Sequence, residues 1–491
     1  MLVDDKVLKA RSVHTFIWPF FFGDEGDKKF DYGNTKKVLS ELGWKEQDFN
    51  FESGDINRKR QNIALKQYLS KPAQNIFFRN ETEVCSVYTL PISIEEYEYV
   101  YYIEKREKKY ELPIVEIELH VYKQGVGILF IQTINEDWSD IGDIKLINDY
   151  GRRISLPFIP AKNIKGEIED SIVADELGIL IKKNENISDE NSESSSCVIK
   201  SSSEETSCEK KGVVNFKEAI VSFYEKDGKL EKIKKCLEIP DFLKLIINNF
   251  GENDLRIIPL SSMEDRMFCN CMIRNEELSK KIKINEFNDN DAYSIVFIDE
   301  TDSTCQEGVM RSELMNKACY KRWQDWGTMY AFTEYSAMCI TTDGSIVNNS
   351  VVTPYIGIYT YLISLALAQR VILAKYSDET CILANGIGKK GKISFKKAKE
   401  LIGMQERYIE FENQMMILEV SNQQQGIEIY NILKDRLLVS EEKKALDDEM
   451  NSIYEVANIS STIRLACKAN VIAWIAVGIA VIIGLVTILY P

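Results

Sequence analysis

Apolar and polar positions alternate along the early part of the chain with the period of half-buried strands. Residues 115–120 (VEIELH) step between apolar and polar, and the following VYKQGVGILFIQ places apolar residues around glycines at 125 and 127. These two stretches predict neighbouring strands of one sheet. The aromatic run from Thr15 onward (TFIWPFFF) follows acidic residues and is too short for a signal-anchor, so it predicts a buried strand. Further on, FLKLIINNF predicts a helix and AYSIVFID a strand. ACYKRWQDWGTMYAFTEYSAMCI, residues 318–340, predicts a Trp-rich helix.

The pattern changes after Pro354, beyond which no proline occurs until Pro491. Tyr408, Phe411, Met415 and Leu418, then Leu446, Met450, Ile453 and Ala457, recur at helical steps and predict a long stalk, with ordinary bundle helices as the plainer alternative. Residues 469–490 (ANVIAWIAVGIAVIIGLVTILY) carry no charge, and at about 1.5 Å rise per residue they span roughly 30 Å of hydrocarbon. Arg464 and Lys468 precede this stretch and only Pro491 follows it, which predicts a cytoplasmic body. A second uncharged stretch, residues 351–369 (VVTPYIGIYTYLISLALAQ), is interrupted by Pro354 and polar residues, and it predicts a buried helix rather than a span.

The expected fold is thus an α+β cytoplasmic body with a long C-terminal helical stalk and a single C-terminal transmembrane helix. Residues 1–180 and 213–350 form the two parts of the body. Residues 181–212 (from KKNENISDENSESSS onward) are too poor in large apolar side chains to offset their ordering entropy, and are expected to be a disordered insert. Residues 351–468 form the stalk, and 469–490 the membrane helix.

With 491 residues, 45% of them hydrophobic, the chain can bury a sizeable core, and its formal charge of −15 argues against nonspecific nucleic-acid binding. Any nucleic acid must meet a small basic site. Eleven cysteines without regular spacing read as reduced thiols. The only histidines, His14 and His120, sit beside no nucleophile motif, and Cys269-Asn-Cys271 has no second pair. No catalytic site, metal or cofactor is therefore expected. NGIGKKGK at residues 385–392 reads as a basic turn.

Two basic clusters stand out. Arg58, Lys59 and Arg60, with Lys66, suggest a solvated helix face, and Arg152 with Arg153 suggests a salt bridge; a phosphate-bearing ligand is the sharper reading of each. Ala476, Ala480 and Gly484 fall on one face of the membrane helix, where small residues permit close helix packing.

The stalk segment LEVSNQQQGIEIYNILKDRL and the final apolar helix resemble CorA-like membrane proteins over about the last 140 residues. CorA transporters carry two membrane helices with a Gly-Met-Asn signature between them, whereas this chain has one clear membrane helix and no such tripeptide. The phrases HVYKQGVGILF, INDYGRRISLPF and YTYLISLALAQRVILAKYSDE resemble CorA-like effectors of bacterial antiphage defence, among them Hailong membrane proteins and the CorA-like proteins of type III CRISPR loci. That resemblance implies a homo-oligomeric, pore-forming or pore-gating effector of abortive infection in the cell inner membrane. It also implies control by an oligonucleotide that a partner nucleotidyltransferase makes. A CorA-type divalent-cation transporter and a non-conducting tail-anchored scaffold are the alternatives.

Overall fold

The aromatic run of the N-terminal region lies at the heart of a mixed sheet. The computed structural model describes residues 3–23, 30–49, 56–78, 83–92, 97–183, 208–225, 230–251, 255–260, 266–300, 303–385 and 395–489. Its strands are β1 (Ser12–Phe22), β2 (Lys45–Glu46), β3 (Cys85–Thr89), β4 (Tyr97–Lys105), β5 (Lys108–Tyr122), β6 (Val126–Asn135), β7 (Glu176–Lys183), β8 (Cys208–Asn215), β9 (Ile257–Ile258), β10 (Phe268–Arg274), β11 (Cys319–Tyr320), β12 (Met329–Phe332) and β13 (Ser336–Thr341). They pair in the order β11-β12-β13-β10-β1-β6-β5-β4-β7-β8, with β3 on β5, β2 on β3, and β9 on β1. The fold class is α+β. Of these pairs, β10 with β13 is parallel, and β1 runs antiparallel to both β10 and β6.

Burial explains the centre. β1 is covered on both faces, as a continuous apolar run requires. Trp18, Phe20 and Phe22 project from alternate positions; Trp18 stacks on Phe20 and Phe20 meets Phe22 edge-on, each pair 4.8 Å apart. Pro19 is tolerated because β10 ends opposite Ile17 and β9 begins opposite Phe21, so its missing N–H falls in a gap between partners. The QGVG glycines serve the sheet. Gly125 (φ +84°) turns β5 into β6, and a Cβ on Gly127 would lie 2.4 Å from the Phe20 ring that crosses it. The expected pairing of residues 115–120 with the following strand is present as β5 against β6.

Two expected elements differ. AYSIVFID is a helix, Asn290–Val296, because Asp289 caps it by accepting from the Ala292 N–H, and Tyr293 stacks on Phe297 at 4.3 Å. The Trp-rich helix is instead β11, a short 3-10 turn at Gln324–Trp326, β12 and β13. Gly327 adopts φ +69° with Ser279 pressed against it, which ends any helix there. FLKLIINNF supplies the expected helix, Asp241–Ile247.

The chain separates into two compact units, Met1–Ala368 with Ile417–Leu437, and Gln369–Met416 with Leu438–Pro491. Residues 351–368 and 417–437 thus belong with the sheet and not with a stalk beginning at 351. Buried tyrosines explain the first: Tyr355 donates to the Cys271 carbonyl, and Tyr361 packs on Phe77 at 5.1 Å. Hydrogen bonds explain the second, where Ser421 and Asn422 donate to the Tyr68 and Leu69 carbonyls.

Ser345–Ala384 is the helix among the described residues that is long and apolar enough to cross a membrane, and 83% of its most apolar window is buried in the protein. Its first part widens to π-turns at Asn348–Val352 and Tyr355–Tyr359 around Pro354, which cannot donate to the preceding turn. In the second unit, helix Phe395–Met415 and helix Val439–Leu489 bury Met404, Tyr408, Phe411, Met415, Leu446 and Met450. Tyr408 donates to Asp447 at 2.6 Å, and Lys443 reaches Glu412 at the same distance. Leu418, expected on the stalk face, is instead 83% exposed outside any helix. Of the expected insert, residues 184–207 lie outside the described residues, while its two ends form β7 and β8. Residues 386–392 of the basic turn also lie outside them.

Candidate functional site

The first basic cluster sits on helix Ile56–Tyr68, and its members part company. Arg58 turns inward to an ion pair with Glu116 of β5, whose side chain is 3% exposed. Burial opposes the Arg58 charge, but Glu116 and Glu118 more than offset it and hold the guanidinium above its ordinary range. Lys59 and Arg60 are exposed. The cluster is therefore one structural ion pair beside two surface cations.

The second cluster ends helix Ile141–Arg152. One oxygen of Asp149 accepts from Arg152 Nη2 at 3.2 Å and from Arg153 Nε at 3.0 Å. Arg152 Nη2 also lies 3.3 Å from the Ile298 carbonyl, while its Nε and Nη1 have no partner among the described residues. Arg266 faces Arg153 across an isolated bridge and lies over the Tyr335 ring at 4.8 Å. Burial lowers the Arg152 pKa; Asp149 opposes this, and Arg153 and Arg266 add to it. The structure thus joins Arg152 and Arg153 at one carboxylate with Arg266 beside Arg153, a knot in which a buried guanidinium keeps unpartnered donors.

Both histidines sit in relays that no linear motif announces. His120 Nε2 is 2.7 Å from Glu118 Oε1, and its Nδ1 is 2.7 Å from Ser364 Oγ. Ser364 also meets the Tyr122 hydroxyl at 2.8 Å. The order Ser, His, Glu is that of a hydrolytic triad. All three residues are 0% exposed, however; burial lowers the His120 pKa with Glu118 opposing it, and the neighbours lock the ring in place. The chemistry here is that of a clamp between β5 and the buried helix. His14 is held likewise, by Ser12 at 2.8 Å and Asn148 at 2.7 Å. Cys269 and Cys271 lie beside this relay, and burial pushes the Cys271 thiol up to about 12. Among the described residues no group of three or more His, Cys, Asp or Glu side chains is placed to hold a metal.

A cleft of about 400 Å³ opens beside the Glu118 relay, lined by Lys36, Glu46, Gln47, Lys66 and Phe78 among others. Gln47 donates to Glu118 at 2.8 Å, tying the cleft to the clamp. Its signs are mixed, with Lys36 3.1 Å from Glu46.

Ala476 and Ala480 lie on helix Val439–Leu489 with their side chains exposed, and Gly484 belongs to the same helix. The apolar residues around the alanines are also uncovered: Val471 is 58% exposed, Trp474 74%, Ile475 57% and Ile479 52%. Compared with family models, curated proteins and solved structures, the chain matches none.

Proposed function

We propose that this chain is a membrane-anchored effector that self-assembles through its last helix and forms or gates a pore when a ligand meets its α+β body. The exposed apolar surface of residues 469–480 carries the reading. Scattered apolar side chains on a surface are ordinary, but a contiguous uncharged band is not. Covering each large side chain stabilises by about 1.5 to 3 kcal/mol. Lipid fits a stretch that stays uncharged through residue 490.

A single helix lines a conduit only in several copies, so assembly is part of the proposal. Ala476, Ala480 and Gly484 are the contact stripe we assign to it. The ligand arm rests on the gathering of Arg152, Arg153 and Arg266, a local positive field in an acidic chain. An oligonucleotide from a partner nucleotidyltransferase is the ligand class the resemblance supplies, with antiphage defence as the setting and the bacterial inner membrane as the location. A CorA-type transporter would need a second span, and the one candidate among the described residues, Ser345–Ala384, has 83% of its most apolar window buried.

The test is deletion of residues 469–491. The shortened chain should leave the membrane fraction on carbonate extraction and lose any toxicity of the full chain. Retention in the membrane would overturn the anchor. Replacing Ala480 and Gly484 by Leu should keep insertion and change oligomer mass, since both add volume to a close contact. Unchanged mass and unchanged toxicity would remove the stripe.

A further inference from the structure

In the second unit, helix Phe395–Met415 runs antiparallel to the first part of helix Val439–Leu489, and three contacts fix the register. Lys443 reaches Glu412 at 2.6 Å, Tyr408 donates to Asp447 at 2.6 Å, and Tyr454 donates to the Leu401 carbonyl at 3.1 Å. Each step back along the first helix is matched by an equal step forward along the second. Carried six residues further, the same register sets Phe395 level with Ser460, nine residues before the uncharged stretch opens at Ala469. Helix Thr360–Asn385 ends at this level too, since Thr380 Oγ1 donates to Met404 Sδ at 3.7 Å across the hairpin.

Charge is sorted toward this end. Between Glu379 and Glu400 the chain carries six lysines and no acidic residue. Three of them, Lys396, Lys397 and Lys399, lie on the first turns of helix Phe395–Met415, and Lys399 is exposed. On the long helix no acidic residue follows Glu455, whereas Arg464 and Lys468 do. A chain of formal charge −15 thus keeps its acids away from the level at which it approaches the bilayer.

The distances suit a lipid surface. At about 1.5 Å per residue, nine residues along the helix axis put Phe395 about 14 Å from the hydrocarbon. Headgroups fill about 5 to 8 Å of that. The remaining gap, about 6 to 9 Å, is close to the screening length of about 8 Å at physiological salt, so these lysines lie within the field of an anionic leaflet. The gap is also narrower than the roughly 10 to 12 Å of a helix with its side chains, which leaves no room for a protein between hairpin and bilayer.

We propose that this end of the hairpin, with Lys396, Lys397 and Lys399 beside the level of Arg464 and Lys468, is a docking surface for anionic phospholipid headgroups. It rests on the reading of residues 469–490 as the membrane anchor and adds a lipid preference to that anchor.

The experiment reconstitutes the full chain in vesicles of phosphatidylcholine alone, and of phosphatidylcholine with about one third phosphatidylglycerol. Acetylation of lysines by a succinimidyl ester is then read residue by residue in the mass spectrometer. Relative to the lysines of the α+β body, Lys396, Lys397 and Lys399 should react severalfold more slowly in the anionic vesicles, and salt at about 0.5 M should erase the difference. Extracted in mild detergent from the mixed vesicles, the parent should retain phosphatidylglycerol in excess of its membrane share. A chain with Lys396→Gln, Lys397→Gln and Lys399→Gln should lose most of that excess and still float with vesicles. Flotation with neither composition would overturn the anchor and the proposal with it. Flotation with both, but equal acetylation in the two or unchanged lipid retention in the variant, would overturn the proposal alone.

Discussion

Nδ1 of His120 and the hydroxyl of Ser364 lie 2.7 Å apart, although 244 residues separate them along the chain. The contact fastens the uncharged first turns of helix Thr360–Asn385, residues 360–368, to β5, and Tyr122 shares the same hydroxyl. Ser364→Ala strands two buried polar groups at once. It should cost about 1 to 3 kcal/mol of stability, read by denaturant melting. A melt within error of the parent would mean that water replaces the hydroxyl. A fluorophosphonate probe should leave Ser364 unlabelled, since the clamp reading gives it no path to a substrate.

His14 makes stability depend on pH. Burial lowers its pKa to about 4, with the Asn148 hydrogen bond opposing only part of the effect. Unfolding lets the ring take a proton near its ordinary value of about 6.5, so the neutral ring's contribution is fully present above that pH. It is lost as pH falls from about 6.5 to about 4, at up to about 1.4 kcal/mol per pH unit. His120 is shifted in the same direction. His14→Gln should flatten this slope by up to one proton's worth in melts taken across that range. An unaltered slope would exclude His14 as its source.

Arg58, Lys59 and Arg60 should separate by cost. Arg58→Gln removes the ion partner of Glu116, a residue 4% exposed, and is expected to destabilise by about 2 kcal/mol, below the 3 to 5 kcal/mol for a wholly buried pair because Arg58 is partly solvated. Lys59→Gln and Arg60→Gln should fall within about 0.5 kcal/mol of the parent. Equal losses at all three positions would contradict the inward turn of Arg58.

Gly151 lies between Tyr150 and Arg152 on a helix pressed against the sheet. A Cβ there would stand 2.5 Å from the Phe16 ring and 2.9 Å from Ile103. Gly151→Ala gains up to about 1 kcal/mol of helix propensity, yet the overpacking of about 1 to 3 kcal/mol should win. A lower melting midpoint is expected. An unchanged or raised midpoint would show that the helix moves off Phe16 freely.

By itself the sequence determined what local chemistry controls. Alternation at residues 115–120 foretold the β5 and β6 pair, and the aromatic run from Thr15 became a strand buried on both faces. The uncharged stretch at 351–369 went to the core, as its proline and polar residues foretold. Where apolar content was high without a clean period, in AYSIVFID and around Trp323 and Trp326, an aspartate cap and a left-handed glycine decided instead. Tertiary structure alone decided the rest. It turned Arg58 inward and Lys59 outward on one helix, because only Arg58 faces Glu116 of β5. It also brought Ser364 to His120, and Tyr454 to Leu401. Such pairs are set by strand register and helix docking over long separations, where no spacing along the chain carries the signal.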